Sequence, residues 1–210
     1  APVDLGAPLA MDYDVIESAS YNPAVADLDG DGELEILFSD FAGKLHAFWL
    51  DRTEHGAWPY SVYSAAEGFF RFASEPAIAD LDADGAAEVL VTTWTEKGSG
   101  ANGALLVLSA SGALLHQVAL PPALGTSDWN GALAAPTIAN LDADADLEVV
   151  IQPAHSGVVA FDLPGSASGR VFWGTGRGSF TRAGTPDAGG RIFRNGFETG
   201  TTVAWSLPSR

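Results

Sequence analysis

The 210-residue chain contains no cysteine, which excludes a disulfide framework. Nor has it an apolar stretch long enough to cross a bilayer as a helix; its apolar runs are strand-sized and broken by Gly, Pro or charge, so membrane insertion is not expected. Cations are scarce: 10 Lys and Arg stand against 27 Asp and Glu, a formal net charge of −17 at pH 7. Affinity for phosphates needs clustered cations, so nucleic acid is excluded as an expected partner. No Gly-x-Ser-x-Gly elbow, Walker loop, GxGxxG or His-Glu-x-x-His motif occurs. No segment sustains a 3.6-residue apolar period over three turns, which removes the case for helices and leaves an all-β chain. The chain begins at Ala1 with neither an initiator Met nor an apolar leader and reads as a processed or trimmed product.

What the chain does have is one acidic loop written three times: PAVADLDGDGELEIL (23–37), PAIADLDADGAAEVL (76–90) and PTIANLDADADLEVV (136–150). Oxygen-bearing side chains recur at loop positions one, three, five and nine, with Asp27, Asp80 or Asn140 at position one and Glu35, Glu88 or Glu148 at position nine. A hard cation such as Ca²⁺ takes about 6–8 oxygen ligands, and alternate side chains plus one backbone carbonyl supply most of them. An EF-hand would place its bidentate Glu at about position 12 between two helices. Here the acid falls at nine and leads EILF, EVLV or EVVI, β-branched runs that read as strands, so the cation is expected between two strands. Thirteen of the 27 acids lie inside these loops, and three bound Ca²⁺ would bring the net charge to −11.

The repeats start at Pro23, Pro76 and Pro136, spaced by 53 and 60 residues. Periods of about 40–50 residues with several strands each are the sign of propeller blades. The first unit reads as strands near 23–26, 34–39, 44–50 and 58–63. The second runs through LVTTW, ALLVLS and LLHQVAL with a Gly/Ser-rich loop at 96–103. The third runs through VVIQ and GVVAFDL, with Arg170–Phe172 as its outer strand. Six of the ten cations, including Arg170, Arg177, Arg182 and Arg210, fall in the last 41 positions and mark a composition boundary near 165.

The pattern P-A-[VI]-A-D-L-D-x-D-G-x-x-E-[VI]-[LV], followed by GKLHAFWLDRTEHGAWPYSVY, resembles the FG-GAP or VCBS-type repeat of integrin-α-like calcium-binding β-propellers. The resemblance covers about 22–185, since FWGTGRGSFTRAGT (172–185) is similar to the closing segment of secreted members. RIFRNGFETGTTVAWS (191–206) resembles a C-terminal extension of exported bacterial proteins. It implies blades of four antiparallel strands near 22–65, 71–121 and 130–175, with a strand of a partial blade in 1–20 and an extension over 186–210. It also implies side-chain ligands Asp27, Asp29, Asp31 and Glu35; Asp80, Asp82, Asp84 and Glu88; and Asn140, Asp142, Asp144 and Glu148. The backbone carbonyls of Glu33, Ala86 and Asp146 would complete three Ca²⁺ sites. The third loop departs from the pattern at Asn140, Ala145 and Asp146. Position six needs a sharp turn that glycine adopts freely, and Ala145 stands where the others have Gly32 and Gly85, so the third site is expected to be the weakest. Propellers close with about four to eight blades. Three repeats therefore leave three readings open: the end piece of a larger propeller completed by upstream blades, a small ring completed by its termini, or closure by self-association.

Evidence for catalysis is thin. His46 and His116 lie in strand-like segments and read as packed or rim residues, His55 lies in a charged turn, and His155 stands apart; a spatial triad needs the structure to decide it. Trp49, Trp58, Trp94, Trp129 and Trp173, with Tyr60, Phe69 and Phe70, read as inter-sheet packing, with Trp129 and Trp94 expected to be exposed where a sugar or peptide would stack. Two classes follow. One is a non-catalytic, secreted, calcium-stabilised module for adhesion, for capture of a glycan or protein, or as an accessory of a secreted enzyme. The other is a propeller polysaccharide lyase or hydrolase with its site in a groove on one face.

Overall fold

The computed structural model describes residues 22–124, 130–154, 156–180, 182 and 184. The strand expected in 1–20, the extension 186–210, Trp129 and His155 lie outside them. The described residues are all-β apart from one 3-10 turn, Ala65–Glu67, and none of their helices is long and apolar enough to cross a membrane.

Each acidic loop joins the first two strands of an antiparallel meander. The first sheet runs β1 (Ala24–Ala26), β2 (Glu35–Ser39), β3 (Lys44–Phe48), β4 (Tyr60–Ser61). The second is built on β6 (Ala77–Asp80), β7 (Glu88–Thr95), β8 (Ala104–Leu108) and β9 (Leu114–Ala119); β5 (Arg71–Ala73) pairs with the far end of β7. The third has three strands among the described residues: β10 (Thr137–Ala139), β11 (Leu147–Ile151) and β12 (Val159–Leu163).

The second sheet is the middle layer, and its side chains show why. Successive strand residues point to opposite faces. Ala104, Leu106 and Leu108 of β8 join Val89 and Val91 in a core shared with Leu37, Leu45 and Ala47 of the first sheet. Leu105 and Val107 join Leu90 in a second core against Ile138, Val149 and Ile151 of the third. A strand buried on both faces reads as an unbroken apolar run, as ALLVL does. β2 has a packed face and an open one, and Ile36 is 42% exposed. Trp58 ties the outer end of the first sheet to the second by donating from Nε1 to the carbonyl of Ala110 at 2.8 Å.

One strand departs from its expected place. Arg170–Phe172 does form a strand, β13 (Arg170–Trp173), but it pairs antiparallel with β6 of the second sheet instead of lying outside β12. Its apolar residues go to both sides: Phe172 and Trp173 enter the first core and Val171 packs against the second. An outermost strand has water on one side, as β9 does with every residue exposed, whereas a segment apolar on both faces is buried best at the centre. The amide of Ile138 in β10 donates to the carbonyl of Gly174 at 2.8 Å, and β1 also lies beside β13, so the first strands of all three sheets gather around it.

Candidate metal centres

Each loop folds back on itself by giving backbone N–H groups to its own carboxylates. Asp27 accepts from Gly30 and Gly32 at 2.8 and 3.0 Å, and Asp80 accepts from Asp84 and Gly85 at 3.2 and 3.1 Å. At position five, Asp31, Asp84 and Asp144 each accept from the N–H two residues on, at 2.8, 2.8 and 3.0 Å. The position-nine glutamates are anchored alike: Oε2 of Glu35, Glu88 and Glu148 accepts the N–H of the position-two leucine (Leu28, Leu81, Leu141) at 2.7, 2.8 and 2.6 Å. These leucines are a component that the spacing of acids did not reveal.

The result is three oxygen clusters. Asp27, Asp29 and Glu35 each bring a carboxylate oxygen within 4.8 Å of the others; so do Asp80, Asp82 and Glu88, and Asp142, Asp144 and Glu148. Two oxygens bound at about 2.4 Å to one Ca²⁺ are at most about 4.8 Å apart, so the clusters have the size the ion requires. Asp31 and Asp84 stand outside the tight triads. In the third loop Asn140 turns its Nδ2 to the carbonyl of Asp144 at 2.9 Å.

The donors also fit a cation by what they lack. Oε1 of Glu35 and Oε1 of Glu148 are buried with no hydrogen-bond partner. A buried carboxylate oxygen left without a partner is costly, and a bound cation removes the cost. Burial pushes the Glu35 carboxyl up to about 7; the Leu28 N–H opposes the shift, and the charges of Asp29, Asp27 and Asp31 add to it. Glu88 is raised for the same reasons, burial first, with Asp82, Asp84 and Asp80 contributing. All-oxygen donors of this kind suit a hard divalent ion, with Ca²⁺ favoured by the flexible loop geometry.

The first two loops abut. The amide of Ala87 donates to the carbonyl of Leu28 at 2.8 Å, and a Cβ at Gly30 would lie 2.4 Å from the carbonyl oxygen of Gly85. Trp49 donates from Nε1 to Asp29 Oδ2 at 3.0 Å and stacks on His55 at 4.3 Å. The other end of the second sheet is aromatic and closed. Trp94 is 7% exposed and stacks on Phe72 at 4.7 Å, contrary to its expected exposure. The reason is β5, a strand that sequence reading did not find, whose Phe72 pairs opposite Trp94. Trp58 and Trp173 are buried, as inter-sheet packing requires.

His46 is buried with Nε2 at 3.2 Å from Asp40 and Nδ1 at 3.1 Å from Glu54, and its ring stacks on Phe38 and Phe48. Both ring nitrogens are thereby occupied, which makes His46 a packed residue as expected. His116 pairs opposite Val107 in the β8–β9 ladder, and its ring stands on the exposed surface of β9 with no side-chain hydrogen bond to the described residues. No described histidine ring is hydrogen-bonded to a serine; the His55 ring lies against Trp49, and its Nε2 is within hydrogen-bonding distance of Asp51 and Thr53.

These meanders with a carboxylate loop after the first strand define a β-propeller-like module. Residues 27–91, from the first loop through the first sheet to the second loop, match the family model of the FG-GAP-like repeat. No curated protein and no solved structure matches the chain.

Proposed function

We propose that this chain is a non-catalytic, calcium-stabilised module of an exported protein, which binds a glycan or an extracellular protein or serves a secreted enzyme as an accessory. The observation that carries the reading is the pair of buried, unpartnered glutamate oxygens, Glu35 Oε1 and Glu148 Oε1, on carboxylates that each bring an oxygen within 4.8 Å of two aspartates. Outside the cell calcium is abundant enough to fill such loops, which supports export. Ligands would be Asp27, Asp29, Asp31 and Glu35; Asp80, Asp82, Asp84 and Glu88; and Asn140, Asp142, Asp144 and Glu148, with the carbonyls of Glu33, Ala86 and Asp146. Bound Ca²⁺ supplies charge neutralisation, and the chain's own N–H groups hold the carboxylates in place for it.

An ion present at 100 times its Kd adds about 2.7 kcal/mol per site. The melting temperature is therefore expected to fall by many degrees in excess chelator and to recover when Ca²⁺ is restored. An unchanged melt from a sample shown to contain the metal would sink the reading.

A further inference from the structure

A cleft of about 250 Å³ opens between the first and second sheets, walled by β4 and the segment after it on one side and by β7, β8 and β9 on the other. We propose that it binds one ring of a neutral saccharide. The proposal rests on the reading of the chain as a binding module and gives that module its ligand class.

Its size is below the roughly 300–1,000 Å³ of sites that engulf drug-sized ligands. It suits a single sugar ring whose neighbours remain outside. Tyr60 and Tyr63, both half-buried, supply aromatic surface, and Ser64 and Gln117 line the same opening. The hydroxyls of Tyr60, Tyr63 and Ser64 and the amide of Gln117 make no hydrogen bond to the described residues, although neighbouring backbone groups are tied down by Val62 N and Tyr63 N donating to Gly43 O. Three hydroxyls and an amide, each able both to donate and to accept, beside aromatic rings match a polyhydroxylated ring, which presents alternating donors and acceptors on a weakly apolar face.

Charge selects among sugars. The one cation in the cleft, Arg71, is already paired with Glu67 at 2.9 and 3.2 Å and donates to the carbonyl of Asn102 at 3.0 Å. The local charge is therefore balanced, and a chain of net charge −17 repels acidic polysaccharides at longer range. A neutral ring is the class that remains.

The test is an NMR titration of the calcium-loaded chain, following backbone amides, with glucose, galactose, mannose, xylose and N-acetylglucosamine, and glucuronate as the charged counterpart. At least one neutral sugar is expected to shift the amides of 60–64 and Gln117 with a Kd in the millimolar range, and glucuronate to bind more weakly. Gln117→Ala and Tyr63→Phe should each weaken that sugar by about fivefold to tenfold, the loss of one hydrogen bond, with an unchanged melt. The proposal is overturned if no neutral sugar shifts these amides, if the shifts lie elsewhere, if glucuronate binds tighter, or if both variants bind as the parent does. Absence of sugar binding beside an intact calcium-dependent melt would remove the saccharide and leave the calcium reading standing.

Discussion

In the first two acidic loops the position-one carboxylate gathers two N–H groups of its own turn, Gly30 and Gly32 for Asp27, and Asp84 and Gly85 for Asp80. In the third, Asn140 instead points its amide donor at the carbonyl of Asp144. The backbone divides the same way. Positions four and six are left-handed in the first loop (Gly30 φ 76°, Gly32 φ 89°) and in the second (Ala83 φ 61°, Gly85 φ 97°), whereas neither Ala143 nor Ala145 has positive φ. The strain expected at Ala145 is therefore absent, because the loop takes another path when no glycine is available to turn it. Burial follows: Leu28 at position two is fully buried, while its counterpart Leu141 is 56% exposed. What all three share lies at positions three, five and nine, whose carboxylates accept the same backbone hydrogen bonds. One spacing of acids is thus compatible with two backbones. Positions three and nine belong to the oxygen cluster in every loop; position one completes it in the first two loops and position five in the third.

Replacing the position-one residue breaks this comparison most directly. In saturating Ca²⁺, Asp27→Ala and Asp80→Ala are expected to destabilise by about 2–4 kcal/mol in denaturant titrations, since each removes a proposed ligand and two turn bonds. Asn140→Ala should cost about 1 kcal/mol, because it removes one neutral hydrogen bond and a weaker ligand. Equal losses at all three positions would show that the loops are equivalent after all.

The buried glutamate gives a pH test. In metal-free protein the folded-state carboxyl of Glu35 is raised from 4.5 to about 7, so the protonated form favours the fold. That stability is complete below about 4.5 and is lost as pH rises through about 7. Melting temperatures in excess chelator should fall across this window, and Glu35→Gln should flatten the fall. A rise over the same window in the parent protein would contradict the assignment.

Smaller effects sharpen the contrast in backbone. Ala83 holds φ 61°, so Ala83→Gly is expected to stabilise by about 1 kcal/mol in thermal or urea melts. Ala145 holds no such φ, so Ala145→Gly should destabilise by roughly 0.5–1 kcal/mol through the entropy of the unfolded chain. A stabilising Ala145→Gly would mean that the third loop does pass through the left-handed turn of the other two. Asn140→Asp should tighten calcium binding at the third loop severalfold by calorimetry, as a charged oxygen replaces an amide. No change would locate the weakness in the backbone rather than in the ligand.

The all-β class, the three loops and the strands on either side of them were legible because each rests on near neighbours in sequence. The unbroken apolar run of β8 and the Glu at the start of β2 and β7 and at the second residue of β11 are local facts, and so is the convergence of oxygens at positions one, three and nine in the first two loops. Contacts between distant segments were not legible. Nothing in RVFW says that it will pair with β6 about 90 residues earlier rather than with β12 beside it. Nothing around Trp94 announces Phe72, and Tyr63, Arg71 and Gln117 become a cleft only where two sheets meet. A loop that folds around its own N–H groups carries its instructions in nine consecutive residues. A buried strand, a covered tryptophan or a cleft between sheets depends on which apolar faces find each other, and many pairings of equally apolar faces satisfy the local pattern until the whole chain is packed.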